Sequence, residues 1–154
     1  MSLFRIPIRG WKKCLHQAAA FESRGEYAAA SLMDDSAAVT WWVRNDPAIF
    51  RIPTPIGNFE PDFLYLVERD GHMGYGILEV KSDVFWDGPG SDARVKANSA
   101  REWVRAVNAA AKIVPWEFAI VLDQDAISAA SLEALRDIAL LRYPDAINAA
   151  GPGS

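Results

Sequence analysis

The chain has 154 residues, of which 51% are hydrophobic and 23% are charged, and this composition excludes a disordered tail. A chain of this length supports one hydrophobic core, so residues 1–150 are expected to form a single domain. The 16 Lys and Arg and 20 Asp and Glu residues give a net charge of −4, which argues against a protein that coats nucleic acid indiscriminately.

The predicted elements begin with a helix. Ser23 and Glu26 have the spacing of a capping box, so the helix starts at Ser23, runs to about Asp34 and carries Glu26 on its inward face. The β-branched and aromatic residues of Val39–Arg44 are typical of a strand, and a shorter strand is expected near Phe50–Ile52.

Two apolar segments, residues 61–68 and 74–81, flank Arg69–His72, which has the composition of a hairpin turn. A loop rich in glycine and proline is expected over 84–92. A helix over Ala93–Lys112, a strand over Trp116–Leu122 and a last helix over Ser128–Arg142 are expected to follow it. This order predicts an α/β fold with a central mixed β-sheet flanked by helices.

Two carboxylates are predicted to meet at the end of this hairpin. Asp62 and Glu79 are equally far from the centre of a turn placed between Asp70 and Gly71, the two residues that a type I′ turn prefers. Directly opposed residues have Cβ atoms roughly 4.5–5.5 Å apart. Two carboxylates at this distance resist ionising together, so a positive group is expected between them.

Two sources of that positive charge are open. Lys81 points to the same face as Glu79, because side chains along a strand alternate with a period of two. The other source is Mg²⁺, which binds carboxylate oxygens and keeps waters for chemistry. Two carboxylates, a lysine and an open metal position suit phosphodiester hydrolysis, and Glu26 is a candidate for a further carboxylate.

These residues carry a family resemblance. Pro61-Asp62 followed by Glu79-Val80-Lys81 is similar to the PD-(D/E)xK nuclease signature, and Phe21-Glu22-Ser23, Glu26, Trp42-Val43-Arg44-Asn45, Lys96 and Trp103 extend the series. The series resembles the C-terminal endonuclease domain of the restriction subunit of type III restriction enzymes. The resemblance implies a restriction-endonuclease-like fold, Mg²⁺ (or Mn²⁺) held by Asp62, Glu79, the Val80 carbonyl and Glu26, and Lys81 as the catalytic lysine.

A contact surface for DNA is predicted on the long helix. Arg94, Arg101, Arg105 and Lys112 fall within about 20° of one line along it, and residues 81–112 hold six basic and four acidic residues. Lys96, in the first turn, is placed to reach toward the acidic cluster or a phosphate. Trp86, with Phe85, follows the strand of Glu79 and Lys81 and is a candidate for stacking on a base.

Each assignment has a structural alternative. Asp62 can simply begin a strand, Glu79 and Lys81 can form an ion pair, and Glu26 can serve only in the capping box. The arginines can line a solvated helix face, Lys96 can extend past Trp103 to solvent, and Trp86 can belong to the core.

We expect a Mg²⁺-dependent DNA endonuclease domain of a restriction–modification system. The resemblance implies, as partners besides DNA, a helicase/ATPase module and a methyltransferase or specificity subunit, since the chain itself has no phosphate-binding loop. A catalytically idle docking domain and a DNA-repair nuclease are the alternatives. The single cysteine, the lack of a signal peptide and the lack of an apolar membrane span favour a cytoplasmic protein, and Gly151-Pro152-Gly153-Ser154 is interpreted as an added tail.

Overall fold

The computed structural model describes residues 5–82, 91–110 and 114–142. The described elements, in chain order, are β1 (Ile8–Arg9), β2 (Ala18–Ala19), α1 (Arg24–Asp35), β3 (Val39–Arg44), β4 (Ile52–Thr54), β5 (Gly57–Phe59), β6 (Phe63–Arg69), β7 (His72–Lys81), α2 (Asp92–Ala110), β8 (Trp116–Leu122), α3 (Asp123–Ser128) and α4 (Leu132–Arg142).

A four-stranded mixed sheet with the strand order β3-β6-β7-β8 forms the centre of the fold. β6 pairs antiparallel with both β3 and β7, and β8 pairs parallel with β7. Parallel neighbours need a long crossover, and α2 lies in that connection. The predicted α/β class, with a mixed sheet between helices, is confirmed.

The β6–β7 hairpin has the predicted register. Phe63 lies opposite Leu78, so the next pair outward is Asp62 and Glu79. Asp70 and Gly71 have φ angles of 53° and 80°, and positive φ at both central residues is the mark of a type I′ turn.

The two faces of the sheet are covered by different helices. Leu78 and Val80 of β7 pack in one buried cluster with Ala29, Ala30 and Met33 of α1. Alternate residues of β7 point to the other face, where Ile77 packs with Ala97, Ala100 and Val104 of α2. The predicted inward stripe of α1 is confirmed, since its buried residues include Glu26, Ala29, Ala30 and Met33.

Two predicted elements are wrong in detail. The last helix is not continuous over Ser128–Arg142, because Ala129 has extended backbone angles and the Ser131 hydroxyl accepts the Ala134 N–H, which starts α4 anew. The strand expected near Phe50–Ile52 is β4, which begins at Ile52 and pairs with β5. The predicted loop over 84–92 lies mostly outside the described residues.

The chain before α1 lies along the outer edge of β3. β1 and β2 pair with each other. The segment between them binds Trp42 of β3: the Lys13 carbonyl accepts the Trp42 N–H at 3.1 Å, and the Leu15 N–H donates to the Trp42 carbonyl at 3.0 Å. We call residues 5–19 the N-terminal arm. Across the part of the chain that the structure describes, no helix has the length and apolar character that a membrane span requires.

Asp34 of α1 attaches the N-terminal arm to the sheet. Its carboxylate accepts the N–H groups of Lys12 and Lys13 at 3.0 and 2.9 Å and the indole N–H of Trp42 at 3.0 Å. Burial by itself raises the pKa of Asp34, but these donors outweigh burial and lower the pKa below the usual value of 3.8.

Candidate active site

Asp62 and Glu79 meet at one end of the central sheet, as predicted. The Asp62 N–H donates to Glu79 Oε1 at 3.0 Å, and the Val80 N–H donates to Asp62 Oδ2 at 2.8 Å. Each carboxylate is therefore held by a backbone N–H of the opposite strand, an arrangement that follows from the hairpin register.

Lys81 lies on the same face as Glu79 and contacts it. Lys81 Nζ is 3.0 Å from Glu79 Oε2. Glu79 is 5% exposed, and burial, followed by the charge of Asp62, raises the pKa of Glu79 well above its usual value against the opposing effect of Lys81. One ammonium group does not compensate the negative charge of this acidic pair.

Arg44 is the cation on the other side of the pair, and no role was predicted for it. Its Nη2 is 2.8 Å from Glu26 Oε1, its Nη1 is 3.0 Å from Asp62 Oδ1, and its guanidinium carbon lies 5.3 Å from the centre of the Phe63 ring. Arg44 ends the apolar strand β3 as Lys81 ends β7, and a charged residue in that position is the sequence signal that could have identified it.

Glu26 is buried but is separated from Glu79. The Ser23 hydroxyl accepts the Glu26 N–H, as expected of the helix cap, whereas the Glu26 carboxylate accepts the Glu22 N–H at 3.2 Å. Burial, and then the charge of Asp62, raise the pKa of Glu26 to about 7, although Arg44 opposes them. α1 packs on the face opposite to that of Glu79, so Arg44 stands between Glu26 and Asp62.

The donor set at the sheet end fits one hard divalent cation. Asp62 and Glu79 supply carboxylate oxygens, and the Val80 carbonyl is directed to the same side of β7 as the Val80 N–H that binds Asp62. When all three are ionised, the carboxylates of Asp62, Glu79 and Glu26 carry one negative charge more than the two cations, Arg44 and Lys81, supply. In the described residues no group of three or more His, Cys, Asp and Glu side chains is arranged to hold a metal, so Glu26 does not complete such a group.

The basic residues of α2 are spread along the helix. Asn108, near the end of α2, binds the backbone of Trp116 at the start of β8. The first turn of α2 therefore lies near the other end of β8, where Leu122 pairs with Lys81. Arg94 and Lys96 therefore lie at the end of the fold that carries the acidic pair, and Arg101 and Arg105 lie progressively farther away.

The burial of these side chains varies. Arg105 is exposed and lies 3.5 Å from Glu102, whereas Arg94, Lys96 and Arg101 are half-buried. Asn108 shares the predicted stripe but serves to fix β8. Trp86, the predicted stacking residue, lies outside the described residues.

The chain is similar to a known family over most of its length. The model of a family described as Endonuclease domain matches residues 12–121, a segment that includes Glu26, Asp62, Glu79 and Lys81. Searches of curated proteins and of solved structures find no match to the chain.

Proposed function

The chain belongs to the Endonuclease domain family, and we propose that it is a Mg²⁺-dependent DNA endonuclease domain that acts as the cleavage module of a restriction–modification system. Its mixed sheet flanked by helices is that of a restriction-endonuclease-like domain. The observation that supports the proposal best is the juxtaposition of Asp62, Glu79 and Lys81 at one end of the sheet.

In this proposal the site divides its tasks among four residues. Asp62, Glu79 and the Val80 carbonyl hold Mg²⁺, which, when bound, polarises the scissile phosphate and lowers the pKa of a water. Lys81 orients the attacking water or neutralises the charge that grows on the phosphate oxygens. Exclusion of water around the buried Glu79 strengthens each of these electrostatic interactions.

DNA reaches the site along α2 in this proposal. Arg94 and Lys96 contact the backbone near the scissile phosphate, and Arg101 and Arg105 contact it farther along. Trp86 stacks on a base or wedges a base step. Sequence recognition and ATP-driven motion are supplied by partners, namely a methyltransferase or specificity subunit and a helicase/ATPase module of the type III kind that the sequence resembles.

A plasmid cleavage assay tests the proposal. We expect nicking or linearisation of supercoiled DNA with Mg²⁺ or Mn²⁺. Glu79→Gln and Lys81→Met each lower the rate by about 10²-fold or more, as removal of one electrostatic group does in other active sites. Glu68→Gln is the matched control, because Glu68 is exposed near the other end of β6. Equal cleavage by all three variants with unchanged thermal melts refutes the site assignment.

A catalytically idle docking domain is the second candidate, and one observation favours it. Arg44 and Lys81 already contact Asp62 and Glu79, the two carboxylates that a metal needs. Titration with Mn²⁺ followed by electron paramagnetic resonance distinguishes the two functions. The nuclease binds Mn²⁺ and loses the binding in Glu79→Gln, whereas the idle domain binds none.

A further inference from the structure

Positive charge is concentrated in a part of the chain that the proposed active site does not use. Residues 1–24 contain five basic residues and one acidic residue, a net charge of +4 in a chain whose total is −4. The five are Arg5, Arg9, Lys12, Lys13 and Arg24. All but Arg24 belong to the N-terminal arm, and Arg24 is the first residue of α1.

Most of these side chains are open to solvent. Arg5 and Lys12 pair with Glu22 and Asp35 at 3.0 and 3.5 Å, yet their side chains remain 56% and 73% exposed. Arg9 and Arg24 are exposed too, and within the described residues neither has a carboxylate at ion-pair distance. Their charge is therefore available to a partner.

One end of the N-terminal arm, at Arg5, lies near the candidate active site, whereas Lys12 and Lys13 lie at the far end of α1, beside Asp34 and Asp35. Arg5 pairs with Glu22, whose N–H binds Glu26, and Glu26 is joined through Arg44 to Asp62. The arm packs with α1 on one face of the sheet, whereas α2 covers the other. Basic residues are therefore carried by elements on both faces of the sheet whose end holds the acidic pair.

We propose that the N-terminal arm, together with Arg24, is a second contact surface for the DNA backbone. The duplex crosses the end of the sheet, with α2 on one side of the scissile phosphate and the arm on the other. Exposed guanidinium and ammonium groups suit phosphates, so the contact positions the DNA and does not read its sequence. This inference rests on the proposed function, and Arg5 and Arg9 precede the segment that matches the family.

The salt dependence of duplex binding tests the inference. Binding of a fluorescein-labelled duplex is followed by anisotropy with Ca²⁺ in place of Mg²⁺, so that cleavage does not interfere. Each phosphate contact contributes about 0.9 to the slope of log affinity against log salt, which is roughly a 3.5-fold loss of affinity between about 50 and 200 mM. Arg9→Gln and Arg24→Gln are each expected to lower the slope by that amount.

The matched control is His72→Glu, which introduces one negative charge at the exposed turn, at the opposite end of β6 from Asp62. This control keeps the wild-type slope if the effect is local. The inference is overturned if Arg9→Gln and Arg24→Gln keep the wild-type slope, or if the control lowers the slope equally. It is also overturned if the wild-type protein binds no duplex.

Failure of the proposed function is distinguishable from failure of the inference. A wild-type protein that cleaves nothing with Mg²⁺, while the two arm variants still lower the slope, refutes the nuclease and supports the contact surface. An arm that binds an acidic protein instead gives unchanged DNA slopes and overturns the inference.

Discussion

Replacement of Arg44 by Leu is the sharpest test of how the candidate site is held together. Arg44, Glu26 and Asp62 have side chains that are 23%, 9% and 16% exposed, so the ion pairs belong to the buried class. Removing one partner of a buried pair leaves an uncompensated charge, which costs about 3–5 kcal/mol, whereas a surface pair is worth about 0–1 kcal/mol. We therefore expect Arg44→Leu to lower the free energy of unfolding by about 3–5 kcal/mol.

The measurement is urea unfolding at pH 8 with EDTA, followed by tryptophan fluorescence. At this pH Glu26, whose pKa burial raises to about 7, is charged in the folded protein. At pH 5.5 Glu26 is protonated, so the cost of Arg44→Leu becomes smaller there. Arg44→Lys keeps the charge but cannot hold both carboxylates as a planar guanidinium does, and it loses about 1.5–3 kcal/mol, the worth of one charge-assisted hydrogen bond.

A double substitution separates the ion pair from simple loss of packing. With Glu26→Gln already present, Arg44→Leu leaves one charge fewer unpaired, so the combined loss is smaller than the sum of the single losses by about 1–3 kcal/mol. A loss below about 1 kcal/mol for Arg44→Leu, or single losses that simply add, refutes the view that Arg44 compensates buried charge.

Three further substitutions test contacts that hold the fold together. Gly25→Ala brings a Cβ into Asp123 Oδ1 and within 2.7 Å of the Asp123 Cα, so α1 and α3 must separate. We expect about 1–3 kcal/mol of lost stability in urea unfolding despite the better helix propensity of alanine. Asp34→Asn weakens three hydrogen bonds and costs about 2–3 kcal/mol at pH 7. Because the pKa of Asp34 is lowered in the fold, its stabilisation is present above about pH 4 and disappears as the pH falls through the folded pKa, so wild type and variant converge in acid. Tyr65→Phe removes the hydroxyl that donates to the buried Glu117 at 2.9 Å, and about 1–2 kcal/mol is expected to be lost.

Matched controls accompany two of these variants. The added Cβ of Gly71→Ala has no atom within 4 Å, so this variant carries only the strain of a left-handed backbone conformation, about 1–2 kcal/mol. If its substitution costs more than that of Gly25, the steric explanation is wrong. Asp35→Asn changes an exposed carboxylate next to Asp34 and should leave the acid dependence of stability unchanged. An equal effect of the two asparagine variants contradicts the assignment to Asp34.

Part of the fold was predictable because its signals are local. The bounds of β3 and β8 coincide with the predicted segments, since runs of β-branched and aromatic residues end at charged or turn residues. The break between α3 and α4 was missed, although Ser131 carries the signal of a new helix cap. The apolar spacing of Leu132, Leu135, Ile138 and Ala139 predicts one stripe of the last helix; in α4 the first, second and fourth of these are buried, and Ile138 is half-buried.

The candidate site likewise has a part that local sequence signals predict and a part that they do not. The meeting of Asp62 and Glu79 depends on a two-residue turn and on the alternation of side chains along two consecutive strands, so it could be predicted from local sequence. The place of Arg44 depends on β3 being the other neighbour of β6 and on α1 crossing behind the sheet, contacts between segments far apart in the chain. No local rule specifies which distant elements pack together, because that choice is made by the burial of the whole core. The pairing of Arg44 with Asp62 and Glu26, and the position of Glu26 on the face opposite Glu79, therefore follow from the packing of the folded chain.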